Sequence, residues 1–260
     1  MNILKQKGRV YGAGHYKCLV IVVPVLKKTV AEWLPDTLSL GPQKNAPKDY
    51  HLINLLLGSQ TNAGMNFSRS ILSYDYKECA FVIPDVYSNG TGQNHFGPFL
   101  HIPFLYLDRL IPILSGRYMY GYPKQRGLIH HSSGCFTVKS GEVETVSASM
   151  GEYLEAQELM EAERLLAQPN ICFPPWTKNK CYAYFDWNFS SAKLKRLSIE
   201  LKVKKGLFKG FEGINLNYPN TSSIENGGAY EIETDWTLSL AKKIPENLLD
   251  TQNTRSLKTA

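Results

Sequence analysis

The sequence predicts a mainly β fold of the α+β class, an antiparallel sheet closed into a barrel or cone with a few peripheral helices. Three observations carry this reading. Residues alternate in the two-residue period of half-exposed strands, as where Ile199, Leu201 and Val203 interleave with Glu200, Lys202 and Lys204. Turn signals such as Asn89-Gly90 and Ser140-Gly141 fall between apolar runs at hairpin spacing. A single long segment, 151–169, has a helix-former composition. The strand, glycine loop and helix rhythm of a doubly wound fold is missing from the pattern. Closure then follows as a natural way to leave so many hairpins without open edges.

Taken in order, "CLVIVVPVL" at 18–26 reads as a buried strand, since it is far too short to cross a bilayer and no small-residue cleavage site follows it. "KKTVAEWLPDTL" at 27–38 is a short helix stopped before Pro35, and 41–49 is a polar connection. Aromatic and β-branched residues make 71–87 a strand entering the core, the loop 89–98 turns it, and "FLHIPFLYL" at 99–107 returns it. "DRLIPILSG" at 108–116 is a short helical turn ended by Gly116. A second hairpin covers 135–148, and the helix 151–169 is closed by Pro169. Along 229–240, Tyr230, Ile232, Thr234, Trp236 and Leu238 share one strand face. Residues 1–250 read as one domain and 251–260 as a loose polar tail.

With 260 residues, 43% of them hydrophobic, the chain can bury a sizeable core. A net charge of +6 suits an anionic small molecule, nucleic acid or a membrane surface equally. In the basic run 193–209 the lysines mostly alternate with apolar residues, which places them on the wet face of a strand where they discourage edge pairing. No nucleic-acid motif accompanies them, so neither a nucleic-acid nor a membrane partner is expected. The five cysteines are widely spread, without zinc or disulfide spacing, and read as reduced thiols of a cytoplasmic protein. His130 and His131 are adjacent and so face opposite ways in a strand; no metal site is expected there. His95 and His101 flank the predicted hairpin, and spacing assigns them no work.

The segment "GRYMYGYPKQRG" at 116–127 sets one cation, Lys124, among tyrosines, glycines and a proline. If it lies inside the barrel, loss of water favours the neutral amine and lowers its pKa by up to roughly 3–5 for a fully buried group. Such an amine attacks a ketone, and the protonated imine withdraws electrons from the neighbouring carbon. An exposed turn lysine is the bland alternative.

The same segment resembles the signature of the acetoacetate decarboxylase family, Gly-Arg followed by aromatic-Gly-aromatic-Pro-Lys. "YKECAFVIP" at 76–84 resembles its Tyr-x-Glu strand, and "FLYLDRLIPILSGR" at 104–117 its approach to the lysine. "AEWLPDTL" and "YEIETDWTL" resemble an N-terminal element and a closing strand of the family, so the likeness spans most of the chain. The resemblance implies a cofactor-independent carboxy-lyase acting on a small oxo acid, assembled as a homo-oligomer, with Lys124 as the imine-forming residue and Glu78 as the pocket acid. An activated lysine of this family is itself a standard illustration of the principle used above. Glu78 either relays a proton or pairs with a structural arginine such as Arg117; Arg117 either anchors the loop or clamps a substrate carboxylate. Tyr120 and Tyr122 are candidate lining residues, on opposite sides if the segment is a strand.

The sequence departs from the family pattern at Gln125, where a second lysine is usual, and at Tyr118, where a glutamate is. Arg126 could supply positive charge. Where the family has an N-terminal arginine and a second acid, this chain offers His15, Tyr16 and Asn62. These departures admit two rivals: the same imine used for aldol or dehydration chemistry on a 2-oxo acid, or a barrel that binds a ligand without reacting.

Overall fold

Long apolar runs set the frame of the structure, a computed structural model that describes residues 9–65, 73–89, 95–132, 135–140, 142–149, 163, 166–203, 214–218 and 228–245. Strand β1 (Val10–Leu26) starts well before the apolar run 18–26, because its first half alternates buried Tyr16 with outward Lys17. Helix α1 (Lys27–Glu32) stops before Pro35, and β2 (Leu38–Leu40), β3 (Tyr50–Met65), β4 (Tyr74–Asn89) and β5 (His95–Leu107) follow. Helix α2 (Leu110–Tyr120) leads into β6 (Lys124–Arg126), and β7 (Leu128–Ser132), β8 (Cys135–Ser140) and β9 (Glu142–Ser149) form a meander. The rest comprises β10 (Asn170–Cys172), β11 (Cys181–Ala183), β12 (Phe185–Trp187), β13 (Lys193–Arg196), β14 (Ser198–Val203), β15 (Ile214–Tyr218), β16 (Gly228–Ser239) and β17 (Lys242–Lys243). Most of the predicted helix 151–169 lies outside the described residues, although Glu163 and Leu166 are helical and the Ala167 N–H donates to the Glu163 carbonyl at 2.8 Å. The tail 251–260 lies outside them too.

The main sheet is antiparallel through β16, β1, β3, β4 and β5. From β5 it passes to β10 by a parallel bridge between Leu100 and Asn170, and then to β11. Only Tyr184 separates β11 from β12, so Cys181–Trp187 runs as one ribbon along β16 and β17, from Trp187 opposite Trp236 to Cys181 opposite Lys243. The pairings therefore return to β16 and form a ring, which is the closure that the hairpin content predicts. A five-stranded sheet, β15-β14-β9-β8-β7, packs on the outside.

Alternation assigns the two faces. Leu19, Ile21 and Val23 of β1, with Leu55 and Phe81, pack with Phe136, Ile199 and Leu201 of the outer sheet. Cys18, Val20 and Val22, with Leu56, Ala80 and Val82, face the barrel interior beside Tyr120 and Trp236. Burial on both faces is why residues 18–23 read as an unbroken apolar run.

Two expectations are corrected. Helix α2 does not end at Gly116 but continues to Tyr120, and it is Gly121, at φ 67°, that stops it. That left-handed conformation costs glycine little and other residues much. On β13, Lys193 is exposed but Lys195, opposite Glu231, is buried, because the middle of this strand is covered on both faces.

Candidate active site

The site is built around the end of α2. The Gly116 and Arg117 carbonyls accept from the Tyr122 and Gly121 N–H groups, which turns the chain sharply toward Pro123 and Lys124. A side chain at Gly121 would run into the Phe173 carbonyl, so glycine is required here for space as well as for φ. Lys124 then joins the barrel in parallel with β5, opposite Leu105. Its side chain folds back across α2, and Nζ donates to the Pro112 carbonyl at 3.1 Å. It crosses at Gly116, where a Cβ would stand 2.6 Å from both Lys124 Cδ and Nζ. Gly116 is thus the gap through which the lysine reaches the interior, and sequence reasoning misread it as a helix stop.

Although the Lys124 residue is only partly buried, its amine is enclosed. Burial lowers its pKa to about 8, and the negative charge of Glu78 opposes that shift. At pH 7 about a tenth of such amines are neutral, against well under a thousandth for an ordinary lysine.

Glu78 projects inward from β4, opposite Gly58 on one side and Leu107 on the other, and accepts from Gln60 Nε2 at 3.1 Å. The Tyr16 ring lies against Gly58, where a Cβ would be 2.7 Å from its hydroxyl. That hydroxyl is buried beside Cys18 and Glu78 without a hydrogen bond of sound geometry, and burial pushes its pKa up. A cavity of about 100 Å³ brings Lys124, Glu78, Tyr16, Tyr76 and Tyr122 together with Leu56, Ala80, Leu105, Phe185 and Trp236. A second cavity, of about 70 Å³, meets the amine from the side of Ser115 and Gly116.

The other candidates separate. Tyr120 and Tyr122 do not fall on opposite sides, because Tyr120 ends a helix rather than lying in a strand. Their rings stack at 5.3 Å and 11°. Tyr122 lines both cavities and Tyr120 only the smaller one, where its hydroxyl donates to the Ser239 carbonyl at 2.9 Å. Arg117 is exposed rather than buried and lines neither cavity; its Nε donates to the Lys124 carbonyl at 2.6 Å, so it anchors the chain at the lysine. Glu78 and Arg117 therefore serve different partners. Gln125, Arg126 and Tyr118 are exposed, which leaves the cavity untouched by these departures. Of the residues at the remaining departures, Tyr16 enters the cavity, His15 bonds Asp235 at 3.0 Å, and Asn62 is an exposed residue at φ 49°.

His101 is buried, and burial lowers its pKa to about 4; His130 is exposed. His95 opens β5 and His131 lies in β7, and their side chains fall outside the described residues. Among the described residues no cluster of three or more His, Cys, Asp or Glu could hold a metal, and no helix is long and apolar enough to cross a membrane. Sequence reasoning missed Gln60, Tyr76 and Trp236 as site residues. Only the alternation within β3, β4 and β16 could have placed them on the inner face.

The family model for acetoacetate decarboxylase matches residues 6–221. The chain belongs to the acetoacetate decarboxylase family. Among solved structures it is similar to the enduracididine biosynthesis enzyme MppR complexed with pyruvate, at 13% identity and a TM-score of 0.62, over 94% of each chain. A structure described as an acetoacetate decarboxylase aligns at 17% identity and a TM-score of 0.59, over 91% of this chain and 90% of that one. Acetoacetate decarboxylase from Legionella pneumophila aligns at 13% identity and a TM-score of 0.62, over 92% and 88%. At such identities the likeness is one of fold. Comparison with the curated proteins gives no match.

Proposed function

We propose that the chain is a Schiff-base-forming carboxy-lyase that decarboxylates a 3-oxo acid through Lys124. The observation that carries this reading is the enclosed amine, lowered to about 8, opening onto a cavity that also holds Glu78. Neutral Nζ adds to the ketone carbon, and the ketone oxygen leaves as water to give a protonated imine. The bond to the carboxylate then breaks, CO2 departs, and the bonding pair moves toward the imine nitrogen to form an enamine. The former carboxylate-bearing carbon takes a proton, which Glu78 relays from within the cavity. Water hydrolyses the new imine, releasing the ketone and the free amine. Each of these steps uses groups of this chain and water.

A second reading keeps the imine but, on a 2-oxo acid that retains its carboxylate, forms the enamine by losing a proton from the neighbouring carbon to Glu78. The enamine carbon then attacks an aldehyde, whose oxygen takes the proton back, and the fold likeness to MppR, whose structure holds pyruvate, favours this reading. Against a merely ligand-binding barrel stands the lowered amine, which passive binding does not require. Borohydride reduction in the presence of 3-oxobutanoate, followed by mass spectrometry, is expected to fix the product to Lys124 and to give none in Lys124→Ala. CO2 release separates the two enzymatic readings, since a trapped imine without CO2 rejects decarboxylation. We extend to the chain the homo-oligomeric assembly implied by its sequence resemblance to the family; a monomer mass in light scattering at all concentrations would remove that extension.

A further inference from the structure

We infer that the substrate carries an extended apolar substituent on its carbonyl carbon, housed in the larger cavity, and that Val82, Leu100 and Ile102 set its length. The inference rests on the imine reading above and names the substrate class for the same amine. Alternate residues of β4 point inward, so Glu78, Ala80 and Val82 follow one another along the interior. At a strand rise of about 3.3 Å per residue, Val82 stands about 13 Å beyond Glu78. The polar groups gather at the Glu78 end, where Gln60 and Tyr16 lie close to the carboxylate.

From there the next layer is apolar. Ala80 faces Leu56 on one side and Leu105 on the other, and Lys124 sits opposite Leu105. Beyond them Val82, Leu100 and Ile102 line the same cavity, as does Leu166. Asn54, opposite Val82 and with neither amide atom hydrogen-bonded, and Asn170, opposite Leu100, are the polar groups at this end. Hydrocarbon packed against these amides would leave them no hydrogen-bond partner, which sets an upper bound on chain length.

An imine carbon bears two substituents, and the second cavity meets the same amine from the Ser115 side. The other arm of the substrate is therefore not forced into the apolar space. A methyl group, as in 3-oxobutanoate, would leave the layers from Ala80 to Val82 unfilled, and an unfilled apolar cavity forfeits both transfer and packing energy.

The test is a series of 3-oxo acids with unbranched substituents from methyl to heptyl, assayed for CO2 release and for borohydride trapping on Lys124. The kcat/KM is expected to rise by roughly fourfold per added methylene until the cavity is full, and then to fall. Val82→Phe is expected to cut the ratio of kcat/KM for pentyl over methyl by more than tenfold, with thermal melting as the check of folding. If that variant does not fold, the wild-type series alone decides. A flat or falling series, with 3-oxobutanoate still trapped on Lys124, overturns the inference and leaves the proposed chemistry standing. Failure of every member to be trapped overturns the chemistry and this inference with it. Affinities of the corresponding methyl ketones, read by intrinsic tryptophan fluorescence, report on the apolar arm apart from decarboxylation. A rise along that series supports the inference, and its absence rejects it.

Discussion

The amine of Lys124 owes its lowered pKa to burial, against the opposing charge of Glu78, and its path to the missing side chain at Gly116. Gly116→Ala would put a methyl group 2.6 Å from Nζ, and because the lysine is flexible it is the amine that moves. Alanine is the better helix former by about 1 kcal/mol, so the variant should melt no earlier than wild type while its trapping rate falls by about tenfold or more. An unchanged rate would show that the crossing does not position the amine. Trapping should also rise with pH, with an inflection near 8, as the amine loses its proton. Glu78 raises this pKa, so Glu78→Gln should move the inflection lower, and an upward move would contradict the assignment. The same shift has a stability cost. Below about pH 8 the folded chain must hold a buried charge that the unfolded chain keeps hydrated, so Lys124→Met should raise the melting temperature at pH 7 as activity disappears.

Among the elements, α2 is where sequence pattern and structure part most clearly. Glycine is a common helix stop, and nothing local distinguishes Gly116 from Gly121. The distinction is tertiary, since Gly116 faces the lysine while Gly121 faces the Phe173 carbonyl with φ 67°. Gly121→Ala should therefore cost about 1–3 kcal/mol in chemical denaturation, far more than a surface substitution. A loss below about half a kcal/mol would mean that the turn relaxes freely. The strands were more legible. Their period survives in Ile199, Leu201 and Val203, all buried, and in Tyr230, Ile232, Thr234 and Trp236 on one inner face.

At the scale of the whole molecule, the face of the main sheet turned away from the cavity is also apolar, and His101, which lies between the cavity-lining Leu100 and Ile102 and opposite Ile83 of that outer core, records it. His101 is buried, its Nδ1 has no hydrogen-bond partner, and its pKa is lowered to about 4. The unfolded chain binds a proton at this ring below about pH 6.5 while the folded chain stays neutral down to about 4, so stability falls as pH drops through that window. Burial of His51 acts in the same direction. His101→Phe should flatten the decline in denaturant midpoint between pH 6.5 and 4. An unaltered slope would show that other groups carry the acid sensitivity.

The sequence by itself determined the β-rich class, most strand positions, the Lys124 segment and Glu78, because each rests on local chemistry: a two-residue period, a turn pair, or a motif read in one stretch. Only the tertiary structure decided that Arg117 holds the backbone from outside, that Tyr120 and Tyr122 stack, and that Tyr16, Gln60 and Glu78 share a corner. Those residues come from separate strands and helix turns, and only the register of a closed sheet fixes which of them meet.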